Sequence, residues 1–395
     1  MISQRNLFLQ HVAQTSPDPM GLEIVQASGI YLTDRNRKRY IDLISGISVS
    51  NLGHRHPQVI RAIQKQLKKY MHVMVYGEMV QSPQVNLAAA LAKVLPVQLS
   101  DVYFVNSGSE AVEGAMKLAK RYTGRYEIIS CTSGYHGSTQ GALSIMGDEF
   151  FRNAFRPLLP GIKHIIFNDH ESLANIGCRT ACVIVEPVQG EAGAVPADPA
   201  WLAALRKKCS DNGVLLVFDE IQTGYGRTGK LFAFEHYGIV PDILLLAKGF
   251  GGGLPLGAFI SSHEIMQSLT HNPVLGHITT FGGHPVCCAS GLATLQVLRK
   301  SNLVQEVDMK EQLFRSLLVH PAIRGIYGKG LLLSLDFETE ELNRKIISAC
   351  IRNGVITDWF LFSGKRMRIA PPLIISHDQI RKACRLILRS VEECS

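Results

Sequence analysis

Between positions 100 and 262 the chain repeats one unit: a short, near-continuously apolar run followed by a stretch with helical spacing. Val102–Val105, Glu127–Cys131, His164–Phe167, Ala181–Val185, Val214–Phe218, Ile243–Leu246 and Ala258–Ile260 read as strands. Apolar runs without polar alternation belong in a sheet covered on both faces, which is the condition of parallel strands joined by crossover helices. After the first run, Ala111, Ala115, Leu118, Ala119 and Tyr122 fall on one helical face. The expected fold class is therefore α/β, with a large, doubly wound, mostly parallel sheet.

The flanks read differently. The first ~50 residues carry a turn-and-strand pattern through Gly29-Ile30-Tyr31-Leu32 and Tyr40-Ile41-Asp42-Leu43, a length consistent with part of a small domain. Beyond roughly position 290, a point soft by a few residues, helices lengthen and strands thin out. The last helix has the stripe Ile380, Ala383, Cys384, Ile387, Leu388 and Val391, and Ser376 with Gln379 forms a capping box. The expected division is a large domain over 50–288 and a smaller α/β domain made from 1–49 and 289–395.

Composition removes several classes of function. No apolar run reaches the length of a membrane span, and the most apolar region, Ile243 to Ile260, contains Lys248, Pro255 and several glycines. The opening residues do not form a secretory signal, since polar residues return directly after Leu7, Phe8 and Leu9. Nine cysteines without a CxxC pair read as core thiols in a reducing, cytoplasmic setting, with no metal site. The net charge of +8 gathers at Arg35, Arg37, Lys38 and Arg39 and between Arg344 and Arg389, without interleaved stacking aromatics. That pattern suits a solvated surface and small anionic ligands, not a nucleic acid.

Ligands of open parallel sheets sit beyond the carboxyl ends of the strands. Three of those ends carry unusual chemistry. One leads into Asn106-Ser107-Gly108-Ser109, where a helix begins, so Gly108 and Ser109 suit an anion, although taken alone an ordinary N-cap is the better explanation of them. Glu110 and Glu113 suit the helix dipole there without any anion. A second end stops at Asp219, whose buried carboxylate needs a partner. The third leads into Lys248 and a glycine-rich stretch, where desolvation lowers an amine's pKa and makes it a nucleophile. The glycines follow Lys248 without GxGxxG spacing, which argues against a dinucleotide site.

Together these residues resemble the class III pyridoxal-phosphate aminotransferases, the group of ornithine, acetylornithine and 4-aminobutyrate aminotransferases. The resemblance runs through Gly46-Ile47, Gly53-His54, Asn106 to Ala111, Tyr135-His136-Gly137, Glu186 to Glu191 and Asp219 to Gly224. It continues through Gly226 to Gly229, Pro241-Asp242, Ala247-Lys248-Gly249, Thr279 to Gly283 and Arg368 to Pro372. It implies a pyridoxal-phosphate transferase of fold type I that moves an amino group, in this reading a terminal one, from an amino acid or amine to a 2-oxo acid such as 2-oxoglutarate or pyruvate. It also implies a homodimer with shared active sites.

By the same resemblance Lys248 forms the Schiff base with pyridoxal 5′-phosphate, Asp219 holds the ring nitrogen and Gln222 bonds the phenolic oxygen. Tyr135 and Ile221 flank the ring. Gly108 and Ser109 hold the phosphate with Thr280 of the neighbouring subunit, and Ser107, His136 and Glu186 complete the cofactor set. Arg368 binds a substrate carboxylate, and Glu191 pairs with it otherwise.

Three departures bear on substrate. Ser138 stands where the ornithine and acetylornithine branches carry an arginine, Ile47 where the ornithine branch has a tyrosine, and His284 where asparagine is usual. Arg152 and Arg156 are the basic residues nearby that could replace the missing arginine. Decarboxylation, racemisation or aminomutation on the same cofactor, or a binding protein that has lost catalysis, are the competing readings.

Overall fold

The computed structural model describes residues 3–395. Its centre is a seven-stranded sheet, in spatial order Asp101–Val105, Gly257–Ser261, Ile243–Leu246, Leu215–Asp219, Thr180–Val185, Glu127–Cys131 and Ile162–Ile165. Six strands run parallel, and Gly257–Ser261 alone runs antiparallel to both its neighbours. Apolar patterning does not encode strand direction, because a strand buried on both faces looks the same either way. The run expected at His164–Phe167 is paired two residues earlier, over Ile162–Ile165, and Ile166 turns out to solvent.

Successive residues of the inner strands feed two separate apolar clusters. Leu216, Phe218, Leu244 and Leu246 join one, and Leu215, Val217, Ile243 and Leu245 join the other. This period-two division is the packing expected of a sheet sandwiched between helices. Helix Gly108–Thr123 covers one face, burying Ala111, Ala115, Leu118 and Ala119. Tyr122 is not part of that face: it lies at the helix end, exposed, with its hydroxyl on the Glu264 carboxylate. Helix Pro199–Asp211 packs behind Leu215–Asp219 on the other face.

The two ends of the chain meet. Strands Ile24–Ser28, Tyr31–Asp34 and Arg39–Asp42 form a sheet that Val355–Ile356 completes, in parallel with Arg39–Asp42. A second sheet, Gly325–Lys329, Leu332–Asp336, Ser363–Ile369 and Trp359–Phe360, carries Arg368. The final helix His377–Glu392 opens with the Ser376–Gln379 capping box and buries Ile380, Ala383, Cys384, Ile387 and Val391. Helix Pro285–Lys300 runs across position 288 without a break. Buried Arg227 donates to the carbonyls of Leu331 and Pro371 and to the Asn51 side chain, tying early, middle and late segments together. Seven of the nine cysteines are buried and all are free thiols. No helix among the described residues is long and apolar enough to cross a membrane.

Candidate active site

A cavity of about 420 Å³ opens beyond the carboxyl ends of the parallel strands. Five strands each deliver a residue to it: Asp101–Val105 leads to Gly108 and Ser109, Glu127–Cys131 to Tyr135 and His136, and Thr180–Val185 to Glu186. Leu215–Asp219 supplies Asp219 itself, followed by Ile221 and Gln222, and Ile243–Leu246 leads to Lys248. A second cavity of about 480 Å³ shares Tyr135 and Lys248 with the first and is lined further by Ile47, Glu191, Asp358 and Arg368. All the residues the resemblance assigns to the cofactor or to a substrate carboxylate border one or other cavity except Thr280, which is exposed on the surface with its carbonyl bonded by His72.

At one end of the first cavity, helix Gly108–Thr123 begins. Its N-cap is Ser107, whose hydroxyl accepts from the Glu110 backbone N–H at 3.2 Å. Capping therefore does not occupy Ser109, whose hydroxyl has only a 3.4 Å contact from the Ser138 N–H. Glu113 serves a different helix, accepting from the backbone N–H groups of Gly141 and Ala142. Two glycines allow the close approach here. A Cβ on Gly108 would sit 2.9 Å from the Ile221 side chain, and Gly137, at φ 130°, would drive a Cβ into the Ser109 hydroxyl. The free N–H groups of a helix N-terminus beside an uncommitted hydroxyl form an anion cradle.

In the middle of the cavity a buried chain of charge runs back from Asp219. Its Oδ2 lies 2.7 Å from His136 Nδ1, and its Oδ1 accepts from the Ile221 N–H at 3.0 Å. Burial pulls the His136 pKa down, but the Asp219 hydrogen bond and charge outweigh it and hold the imidazole above its ordinary value. Glu186 accepts from the backbone N–H groups of Tyr135 and Gly190. Burial pushes it up to about 7, with His136 opposing and Asp219 adding to the rise. Two donors in this region are buried without a partner, His136 Nε2 and Gln222 Nε2. Orphaned buried polar groups signal a missing ligand, and an aromatic ring with a basic nitrogen, a phenolic oxygen and a phosphate fits the three features found here.

Lys248 follows its strand directly and begins a short 3₁₀ turn, Lys248–Gly251, at φ 48°. A non-glycine residue in the left-handed region costs about 1–3 kcal/mol and persists only where its surroundings impose it. The side chain is enclosed by protein and keeps part of its surface on the cavity. Burial lowers its pKa, Glu191 opposes that and Arg368 adds to it. A second strained turn packs against this one. Ser45, Gly46, Ile47 and Ser48 all have φ between 53° and 63°, a single left-handed helical turn. Asp42 pins its entry by accepting from the Ile44 and Ser45 N–H groups, and the Ser45 hydroxyl donates to the Ala370 carbonyl. That turn presents Gly46 and Ile47 to the second cavity.

At the far end Arg368 is buried between two carboxylates. Its Nη2 donates to both oxygens of Glu191, at 3.1 and 3.0 Å, and its Nε donates to Asp358 Oδ1 at 2.8 Å. Burial raises the Glu191 pKa, but Arg368 more than compensates and leaves it below the usual carboxylate range. For Asp358 burial prevails over Arg368, and its pKa stays above that range. Asp358, Trp359 and Leu361 had no signal in the sequence, since they lie on and beside the two-residue, bulged strand Trp359–Phe360, too short to show a pattern. Tyr135, Phe362 and Phe151 form an aromatic series beside this cavity, with centroids 6.4 and 5.4 Å apart.

The chain matches the class-III aminotransferase family over residues 12–391. It is similar in structure to the ornithine aminotransferase of Toxoplasma gondii ME49, at 29% identity and TM-score 0.91, covering 100% of this chain and 96% of that one. An amine transaminase from an uncultivated Pseudomonas species, in its PLP-bound form, is 26% identical at TM-score 0.90 and covers 98% of each chain. The adenosylmethionine-8-amino-7-oxononanoate aminotransferase of Methanocaldococcus jannaschii is 26% identical at TM-score 0.91, covering 99% of each. The chain belongs to the class III aminotransferases and is a pyridoxal-phosphate-dependent transferase that moves an amino group from a donor to an oxo-acid acceptor.

Proposed function

We propose that this enzyme transfers a terminal amino group to a 2-oxo acid that bears a single carboxylate, pyruvate being the simplest. One observation carries the reading: Lys248, Asp219, Gln222 and the start of helix Gly108–Thr123 surround one cavity, and Arg368 borders the next. In this reading Lys248 holds the cofactor covalently, and its Nζ moves the proton between the donor's amine-bearing carbon and the cofactor. Asp219, backed by His136 and Glu186, keeps the ring nitrogen protonated, and Gln222 Nε2 donates to the phenolic oxygen. Tyr135 and Ile221 lie on the two ring faces. Gly108 and Ser109 hold the phosphate, beside Ser107, whose hydroxyl caps the helix. Bound in this way, pyridoxal phosphate supplies an electron sink for the carbon that loses its proton.

The preference for one carboxylate comes from what surrounds Ser138. Its hydroxyl is 3.1 Å from the Tyr135 hydroxyl. Arg152 is held by Glu149 at 2.7 Å and by the Ser144 carbonyl, and Arg156 is paired with the same Glu149. Both arginines are thus committed away from the two cavities. Asp358 and Glu191 already balance Arg368, so a second carboxylate has no spare cation within this chain's pocket.

The active unit in this reading is a homodimer, with the large and small domains of each chain facing the shared sites and Thr280 reaching the neighbour's phosphate. Exposed Met71, Met74, Met79, Val80, Ile278 and Phe281 near Thr280 supply the apolar surface that such a contact needs. Borohydride reduction of the holoenzyme followed by peptide mass spectrometry tests the central assignment. The cofactor mass is expected on the peptide containing Lys248, and its appearance on another lysine would overturn the reading.

A further inference from the structure

The two carboxylates on Arg368 are held in different ways. Asp358 is bound to Arg368 twice: its side chain accepts from Nε at 2.8 Å, and its backbone carbonyl accepts from the Arg368 N–H at 2.9 Å. The neighbouring Thr357 hydroxyl donates to the Arg368 carbonyl, so Asp358 sits on backbone that is locked to the arginine itself. Glu191 stands on a separate segment, after the two-residue strand Val188–Gln189; its carbonyl accepts from the Phe362 N–H at 3.0 Å and its Oε2 from the Leu361 N–H at 3.1 Å, but it touches Arg368 through its side chain alone, on the Nη side. Nη1 of Arg368 is buried and has no partner. If Glu191 swings away, Nη1 and Nη2 together offer the edge that a carboxylate takes bidentately, while Nε stays on Asp358.

Taking Glu191 as the exchangeable partner that the family resemblance implies, we infer that Asp358 is the permanent partner of Arg368, so that it both orients the Nη1–Nη2 edge and weakens its grip on a substrate carboxylate. This rests on Arg368 being the carboxylate site. With Asp358 in place the guanidinium is balanced even after Glu191 leaves, and an incoming carboxylate meets a neutral pair instead of a free cation. The same arrangement keeps Arg368 satisfied when a substrate brings no carboxylate. The site is thereby tilted toward amine donors without a carboxylate beside the reacting carbon, and Asp358 is the specificity-determining position.

The test uses holoenzyme and propionate, a monocarboxylate that cannot react. Asp358→Asn keeps an oxygen for Nε and removes the charge, so the propionate Kd measured by calorimetry is expected to fall about tenfold. The KM for pyruvate should fall in parallel with a smaller change in kcat, and the KM for benzylamine should shift less than that for pyruvate. Asp358→Ser removes the same charge with a smaller side chain and is expected to act in the same direction, so that a folding defect in one variant leaves the other to decide. A propionate Kd that is unchanged or weaker in the folded variants overturns the inference. Arg368→Gln separates the two levels: if it weakens propionate while the Asp358 variants do nothing, only the role of Asp358 fails. If Arg368→Gln leaves propionate binding untouched, the carboxylate site and this inference fall together.

Discussion

The two cavities that meet at Lys248 are built from different kinds of chain. The cofactor end is assembled from the carboxyl ends of five parallel strands, four of them buried along their whole length and the fifth, Asp101–Val105, half-buried at the sheet edge. The end that the proposal assigns to the substrate is assembled from a left-handed turn near position 47, a loop at Glu191 and the bulged two-residue strand Trp359–Phe360 with its flanking residues. Charge follows the same division. At the cofactor end one buried series, Glu186, His136 and Asp219, is aligned toward a single point. At the substrate end Arg368 is shared between two acids, one of them on a separate loop. In the reading proposed above, a rigid frame suits a cofactor that stays in place through every turnover, and an exchangeable ion pair suits substrates that alternate.

This contrast predicts that damage at the cofactor end affects every substrate alike. Asp219→Asn removes the charge facing His136, and breaking a buried pair costs about 3–5 kcal/mol. Applied to the transition state, that is on the order of 10²–10⁴-fold in kcat. Steady-state rates with several donor–acceptor pairs should drop by one common factor, and a loss confined to some substrates would erase the distinction between the two ends.

A smaller effect should appear in stability. The His136 pKa is raised in the folded protein above its ordinary 6.5. Its contribution is therefore fully present below the unfolded value and is lost as pH climbs through the raised folded value. A hydrogen bond to a charged partner contributes about 1.5–3 kcal/mol. Thermal melts of wild type and His136→Gln should thus differ most below about pH 6 and converge as the pH rises through the raised folded value. A gap that widens with pH would show that the imidazole is neutral in the fold.

The smallest change belongs to the substrate end and should be selective. Ser138→Arg adds a cation beside Tyr135, where a charge-assisted bond exceeds a neutral one by roughly 1–2 kcal/mol. The ratio of kcat/KM for 2-oxoglutarate over pyruvate is expected to rise about tenfold. Strong wild-type preference for 2-oxoglutarate with no gain in the variant would mean that another cation already serves the second carboxylate, and the contrast between the ends would need redrawing.

How much of this was legible in the sequence follows the same line. Leu215 to Phe218 and Ile243 to Leu246 announced buried strands because both faces of each are covered by helices, which leaves an uninterrupted apolar run. The chemistry at their ends was legible for the same reason: Asp219 and Lys248 are charges directly attached to buried runs, and such charges call for a partner. Direction was not legible, and Gly257–Ser261 proved antiparallel. Nor was the N-cap, where Ser107 and Ser109 are equivalent until the backbone shows which hydroxyl meets the Glu110 N–H. Tyr122 fell on the apolar stripe by spacing, yet the helix end carries it past the edge of the sheet.

The sequence by itself therefore determined the class of fold, the family and the residues that suit a cofactor, because these depend on local patterns: burial on two faces, a charge at a strand end, a glycine before a helix. The pairing of Glu191 with Arg368, 177 positions away, came from the family resemblance, but only the tertiary structure decided what else surrounds that arginine. Asp358 reaches Arg368 across ten positions, through the short hairpin that pairs Trp359–Phe360 with Ser363–Ile369. Arg152 and Arg156 look available along the chain and are taken by Glu149 in space. Pairings of this kind depend on which side chains the packed backbone brings within hydrogen-bond distance, and no periodicity along a chain records them.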